Sequence, residues 1–333
     1  MKNLIKQVQN NAFGKDLWEK NSKIVLGVSG GPDSVCLLDI FSKLAKKYQL
    51  SLLIAHVNYH LRGQDSIEDE KFVSKLAEKY NLPLEILDWH GKTIDENSLR
   101  TVRYDFFEKV RKNYKFDSIA VAHNKNDQVE TFLMRIIRGA GLSGLSAIKW
   151  KNVYPVKSEA KRGVHNSEQF NWGTIIRPLL GTSRTDILNY LQQNSIIYRT
   201  DKTNAENLFL RNKIRNKLIP QLAEEYNPMI IDTIFNASAS ITEDYDLLSE
   251  LADKACPKNN LSVNKILKLH PALQKMAIRN ILAKHKQDLK NIDSKHIEEI
   301  LKIFHSTKGK NQTFLFQGLK LIRKGDKIII SCL

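Results

Sequence analysis

Residues 23–34 read Lys-Ile-Val-Leu-Gly-Val-Ser-Gly-Gly-Pro-Asp-Ser, and their reading decides the fold. Ile24, Val25, Leu26 and Val28 form a short apolar run that suits a buried parallel strand. From Ser34 the spacing turns helical, with Val35, Leu38, Ile40, Phe41 and Leu44 directed at a core. Between strand and helix lie Ser29, Gly30, Gly31, Pro32, Asp33 and Ser34. Two glycines let another group approach the backbone closely. The helix turns its free N–H groups and positive dipole end back on the loop. Ser29 and Ser34 add hydroxyls. The expected product is a phosphate cradle.

It is neither of the two common cradles. A Walker A loop ends in Gly-Lys-Ser/Thr, and no lysine stands here; the dinucleotide fingerprint needs a third glycine. Asp33 beside phosphates calls for a metal ion or a cationic substrate between them, so a metal ligand is one of its two readings. A plain glycine turn is the competing structural reading. The full string resembles the PP-loop of ATP pyrophosphatases, which split ATP between its α and β phosphates and transfer AMP. That resemblance implies ATP and Mg²⁺ as cofactors, with residues 29–34 and His56 binding ATP.

Working outward, strands alternate with helices. Residues 50–57, 84–89, 118–122 and 174–176 read as further strands, and 66–80, 97–107, 126–138 and 183–194 as helices. This pattern predicts an α/β protein with a parallel five-stranded, Rossmann-like sheet covered by helices on both faces. The motifs that begin at Ser29, His56 and His123 fall at carboxyl ends of strands, where such sheets bind ligands. Residues 149–172 read as a polar loop or hairpin insertion.

A basic stretch, residues 198–222, carries Arg199, Arg211 and Arg215 around an apolar stripe of Leu210, Ile214 and Leu218. A domain boundary is expected at Asn227-Pro228. The catalytic domain is thus placed at 1–227, with a basic helical extension over 198–227. A smaller helical and α+β domain is placed at 228–333. In the latter, helices are expected over 231–253, 262–284 and 294–304, then short strands turned at Gln317-Gly318 and Lys324-Gly325-Asp326.

The chain has 333 residues, 42% hydrophobic and 26% charged, which suits folded domains rather than disorder. No apolar run has membrane-span length and the amino-terminal residues hold no signal-peptide core, so a cytoplasmic location without membrane contact is expected. The formal net charge is +16. Residues 256–333 carry 16 basic and 5 acidic side chains, so most of the excess is concentrated there. Such an excess points to a polyanionic partner. Cys36, Cys256 and Cys332 lie far apart, without Cys-x-x-Cys or metal-ligand spacing.

A second constellation starts at His123. On a helix, Asp127, Glu130, Thr131, Met134 and Arg138 share one face and Val129, Phe132, Leu133 and Ile136 the opposite, core face. Asp127 and Glu130 are therefore expected to be exposed. Acidic residues in a first helical turn also complement the dipole. Beside a phosphate cradle, a paired carboxylate site for a cationic ligand is the better reading.

Residues 122–145 closely resemble the bacterial tRNA(Ile)-lysidine synthetases. So do residues 29–34, 56–62, 99–107, 176–180, 201–204 and 211–215. The likeness spans 20–228 in the family's order. It implies that ATP adenylates C2 of the wobble cytidine in tRNA(Ile) with anticodon CAU, and that the ε-amine of free lysine displaces AMP. Codon reading and aminoacylation identity then both change from methionine to isoleucine. By this resemblance Asp127 and Glu130 hold lysine, and Asp33, Arg103, His123 and Asp127 carry catalysis. Arg100, Arg199, Arg211, Arg215, Lys308, Lys310, Arg323 and Lys324 are the tRNA-binding candidates, and homodimerisation is left open. One departure is visible: relatives commonly have two adjacent aspartates where this chain has Asn126-Asp127.

Two rivals remain. A tRNA thiolase shares the ATP loop but needs cysteines to carry sulfur. A non-catalytic nucleotide-binding RNA-binding protein would have no use for the acid pair.

Overall fold

The computed structural model describes residues 3–91, 95–153, 173–200, 210–256, 262–285, 292–307 and 311–332. They divide into two compact units, the first of residues 1–140 and 147–237, the second of 141–146 and 238–333.

Unit 1 begins with α1 (Leu4–Gly14), β1 (Lys23–Gly27), α2 (Pro32–Tyr48), β2 (Ser51–Asn58), α3 (Gln64–Tyr80) and β3 (Leu84–Asp88). It continues with α4 (Glu96–Asn113), β4 (Ser118–Ala120) and α5 (Lys125–Ile137). Short α6 (Leu142–Leu145) belongs to unit 2; β5 (Lys151–Val153), β6 (Thr174–Ile176) and α7 (Arg184–Gln193) return to unit 1. The sheet has six strands in the order β3-β2-β1-β4-β6-β5. Five run parallel, as expected, and β5 pairs antiparallel with β6. The sixth strand corrects the expected count. It lies at the start of the stretch read as a polar loop, and the remainder, 154–172, lies outside the described residues. Only three residues long, two of them polar, β5 owes its structure to the edge it pairs with.

Alternation along the strands sorts the core. Ile24 and Leu26 of β1, with Leu52 and Ile54 of β2, pack under α1, α2 and α7. Val25, Leu53 and Ala55 point the other way, onto Tyr104, Phe107 and Val110 of α4. The approach of α4 is close at Gly27, where a Cβ would lie 2.7 Å from the Phe107 ring. Any larger residue there would force the Phe107 ring to shift.

The basic stretch forms α8 (Leu210–Lys213), a π-turn (Ile214–Leu218) and α9 (Ile219–Glu225). Its earlier part, 201–209, lies outside the described residues.

Unit 2 takes up α10 (Ile230–Ala255) from Ser238 onward, then α11 (Val263–Leu267), α12 (Pro271–His285), α13 (Ser294–His305) and an antiparallel sheet. That sheet is β7 (Gln312–Phe316), β8 (Leu319–Lys324) and β9 (Lys327–Cys332). The single helix expected over 262–284 is two helices, because Pro271 can start a helix but not continue one. The hairpin at Gln317-Gly318 has positive φ at both residues, +47° and +77°, as a two-residue turn of this hand requires.

Candidate active site

The site is built where β1, β2 and β4 end. Gly30 carries φ +87°, and its carbonyl accepts from the Arg199 backbone N–H at 2.9 Å. Pro32 opens α2 at a position where a missing N–H leaves no bond unmade. The Ser34 hydroxyl donates to the Gly31 carbonyl at 2.9 Å and accepts from the Ser29 N–H at 3.1 Å. The loop is thereby braced from inside before any ligand enters.

The loop borders a cavity of about 220 Å³, lined among others by Ser29, Asp33, His56, Tyr59, Arg103 and His123. The two histidines are held as opposite tautomers. His56 Nδ1 donates to the Val28 carbonyl at 2.8 Å, which leaves Nε2 as an acceptor. His123 Nδ1 accepts from Arg177 Nε at 3.1 Å, so its Nε2 carries the proton. Burial lowers the pKa of both; the nearby Arg177 guanidinium lowers His123 further, well below the usual value. At neutral pH each is an uncharged imidazole, one accepting and one donating.

Arg177 itself is buried and fixed by the Lys149 carbonyl at 2.7 Å. It falls within residues 176–180, and no local pattern there marks out its role. Arg103 reaches the cavity from α4. Arg100, one turn earlier, stacks on the Tyr104 ring with its guanidinium carbon 4.9 Å from the centroid.

Asp33 forms an ion pair with Arg184 at the start of α7, a partner that sequence reading missed. Its Oδ1 is buried without a hydrogen-bond donor, although the Asn124 amide nearby helps to hold the carboxyl charged. Burial outweighs these effects and pushes the Asp33 pKa up to about 6, with Arg184 opposing the rise and Asp127 adding to it. An unshared, buried carboxylate oxygen beside a phosphate cradle fits a hard cation.

Asn126, at the departure from the family pattern, accepts from the Arg184 backbone N–H at 2.9 Å. An amide oxygen performs that task as a carboxylate would, without adding charge beside Asp33. Asp127 closes a capping box with Asn124 at the start of α5.

The acid pair departs from expectation. Asp127 and Glu130 do share a helical face, but Glu130 is fully buried rather than exposed. The basic stretch covers that face. Arg211 donates to Glu130 and Asp127 at 2.7 Å each, and Arg215 donates to both Glu130 oxygens at 2.5 and 3.0 Å. Two carboxylates thus face two guanidiniums (partners more than 80 residues away in sequence), and the local charge cancels.

The remaining candidates fall elsewhere. The Arg199 side chain pairs with Asp69 and Glu68, both at 2.9 Å, behind the cradle. In unit 2, Arg323 donates to the carbonyls of Ile303, Phe304 and Ser306, which caps the end of α13. Lys324 is exposed, and Lys308 and Lys310 lie outside the described residues.

Strand, Ser-Gly-Gly-Pro-Asp-Ser loop and helix on a parallel sheet define the class as a PP-loop ATP-binding protein, and a PP-loop domain family matches residues 1–222. A tRNA(Ile)-lysidine synthase of Clostridium tetani is 35% identical over 328 residues, covering 92% of this chain and 65% of the relative. One of Clostridioides difficile is 32% identical over 336 residues, covering 95% and 68%. The chain belongs to this tRNA(Ile)-lysidine synthase family, and it spans about two thirds of the length of these relatives.

Among solved structures, the U34-tRNA thiolase NcsA of Methanococcus maripaludis, with its [4Fe-4S] cluster, superposes with a TM-score of 0.56. It is 19% identical, covering 72% of this chain and 78% of its own, and the likeness is one of fold. Cys36 and Cys256 are both buried here, and burial drives the Cys36 thiol far above its usual pKa. A protonated, enclosed thiol is a poor sulfur carrier. No helix among the described residues is long and apolar enough to cross a membrane.

Proposed function

We propose that this chain ligates lysine to the wobble cytidine of tRNA(Ile) bearing a CAU anticodon, using ATP, in the cytoplasm. The observation that carries the reading is the juxtaposition, at the ends of adjacent strands β1 and β4, of a phosphate cradle and an acid pair suited to an ammonium group. In the first step the cytosine O2 attacks the α-phosphorus, an O–P bond forms, and pyrophosphate leaves into the cradle. In the second, the lysine ε-amine attacks C2 and AMP departs.

Ser29, Ser34 and the start of α2 would hold the phosphates, and Arg103 would offset charge developing on them. Mg²⁺, bound through Asp33 Oδ1, would supply further charge neutralisation. His123 Nε2–H is available as a donor to the base or the phosphate. His123→Ala is expected to slow adenylation by roughly 10²-fold, the cost of one preorganised donor. His123→Gln, whose amide can donate from a similar position, should recover part of the rate. Equal rates for the two variants would remove the donor role.

Lysine would bind at Asp127 and Glu130 by exchanging with Arg211 or Arg215. Arg215 is the more exposed of the two. The basic stretch would then serve the acid pair as well as the tRNA.

The charge excess of residues 256–333 supports a tRNA grip in the second unit. Replacing Lys308, Lys310 and Lys324 should weaken tRNA binding and flatten the plot of log affinity against log salt by up to roughly 2–3, given roughly 0.7–0.9 for each of three phosphate contacts. Arg323→Ala should instead lower stability, since it uncaps α13. Parallel salt plots for wild type and the triple lysine variant would reject the grip.

Product analysis tests the overall reading. With tRNA, lysine and ATP, the nucleotide products should be AMP and pyrophosphate. ADP and phosphate would overturn it.

A further inference from the structure

Strands β2 and β3 run parallel with Asn58 opposite Asp88, and the Trp89 N–H continues the ladder by donating to the Asn58 carbonyl at 2.9 Å. Equal offsets beyond this pair bring His60 and His90 side by side. Their imidazoles stack with centroids 4.4 Å apart and planes 10° from parallel. The Asp88 carboxylate lies at both: Nε2 of His60 bonds one oxygen, and Nε2 of His90 lies 3.2 Å from the other. One donor atom from each of the three residues lies within 4.8 Å of the other two.

We infer that His60, Asp88 and His90 form a binding site for a divalent transition metal of the zinc type. Two imidazoles and a carboxylate are the ligand set of an open zinc site, with a fourth position left to water. Nitrogen donors favour zinc, cobalt or nickel over magnesium, which separates this site from the oxygen ligand at Asp33. Tetrahedral zinc with bonds of 2.0–2.1 Å places its ligands about 3.3 Å apart, so modest side-chain rotation closes the shell.

The site also has built support. His60 has φ +54°, uncommon for a residue with a side chain, and its N–H donates to Asn58 Oδ1 at 3.0 Å. Asn58 is buried, and its amide donates to Glu70 at 2.7 Å. The His60 backbone is thereby fixed from the sheet upward. None of the three residues lines the ATP cavity. Tyr59 and Trp89, the residues just before the two histidines, pack edge to face at 5.8 Å, and Tyr59 lines the ATP cavity. A bound ion would therefore clamp two loops beside that cavity.

The test uses the untagged full chain without nucleotide, titrated with Co²⁺ and followed by visible absorption. Wild type should develop the intense bands of a four- or five-coordinate ion at one equivalent, and Zn²⁺ should bleach them. His90→Gln and Asp88→Asn should each weaken Co²⁺ binding about tenfold or more. Both side chains are more than half exposed, so their metal-free melting should match wild type. Absence of the bands at micromolar Co²⁺, or unchanged titrations of both variants, would overturn the site.

Discussion

Asp33→Asn is expected to make the protein more stable at pH 8 while abolishing AMP transfer. Burial holds the Asp33 carboxyl near pKa 6, above the usual 3.8. Between these values the folded chain keeps a proton that the unfolded chain releases. Stability therefore falls as pH rises from about 4 to about 6 and stays lower above that window. The asparagine removes the penalty. At 1.36 kcal/mol per pKa unit, discounted for partial exposure, the gain is about 2 kcal/mol at pH 8, or roughly 5 °C in Tm. Below pH 4 the two proteins should melt alike. Activity moves the other way, because the neutral amide cannot hold a cation against the phosphates. Melting curves at pH 4 and pH 8 without added metal, with an AMP-release assay, check both halves. A variant that melts like wild type at pH 8, or still forms AMP, contradicts the account.

The second large effect is at Glu130. Glu130→Ala would leave Arg211 and Arg215 beside one another with Asp127 to share, and with the exposed Glu96 3.8 Å from Arg211 as the other acid. Removing one partner of a buried ion pair costs about 3–5 kcal/mol, much of it from the charge left behind. Glu130→Gln keeps the volume and part of the hydrogen bonding, so it should fold. Its defect, like that of Asp127→Asn, should fall on lysine: a KM raised tenfold or more, with adenylation retained. Arg215→Gln should lower the KM for lysine by removing a competitor for the same oxygens. Loss of adenylation in Asp127→Asn or Glu130→Gln, with lysine affinity unchanged, would move the lysine site elsewhere.

These two residues also mark what the sequence could reveal. The cradle was legible because strand period, glycine pair and helical period follow one another within a few residues. The acid pair was legible as a spacing, since Asp127 and Glu130 lie three apart on one helix. Its burial was not, because the covering arginines come from a distant stretch. Arg184 escaped notice for the same reason. It meets Asp33 only when α2, α5 and α7 are assembled, and nothing around Thr182-Ser183-Arg184 differs from an ordinary helix start. The tautomers of His56 and His123 depend on Val28 and Arg177, neither of which a local pattern identifies. Arg323 counted as surplus charge in the sequence and proved to be a helix cap. Pro271 is the opposite case: the break it makes between α11 and α12 was available from the sequence alone.

Transfer of lysine to tRNA tests the central proposal most directly. Radiolabelled lysine is incubated with the full chain, ATP and a CAU-anticodon tRNA(Ile) transcript, and label in the tRNA is counted. The account predicts label that requires ATP, appears in step with AMP, and is absent when the wobble cytidine is replaced by uridine. Label that enters the uridine transcript equally, or AMP formed without any lysine reaching the tRNA, would contradict it.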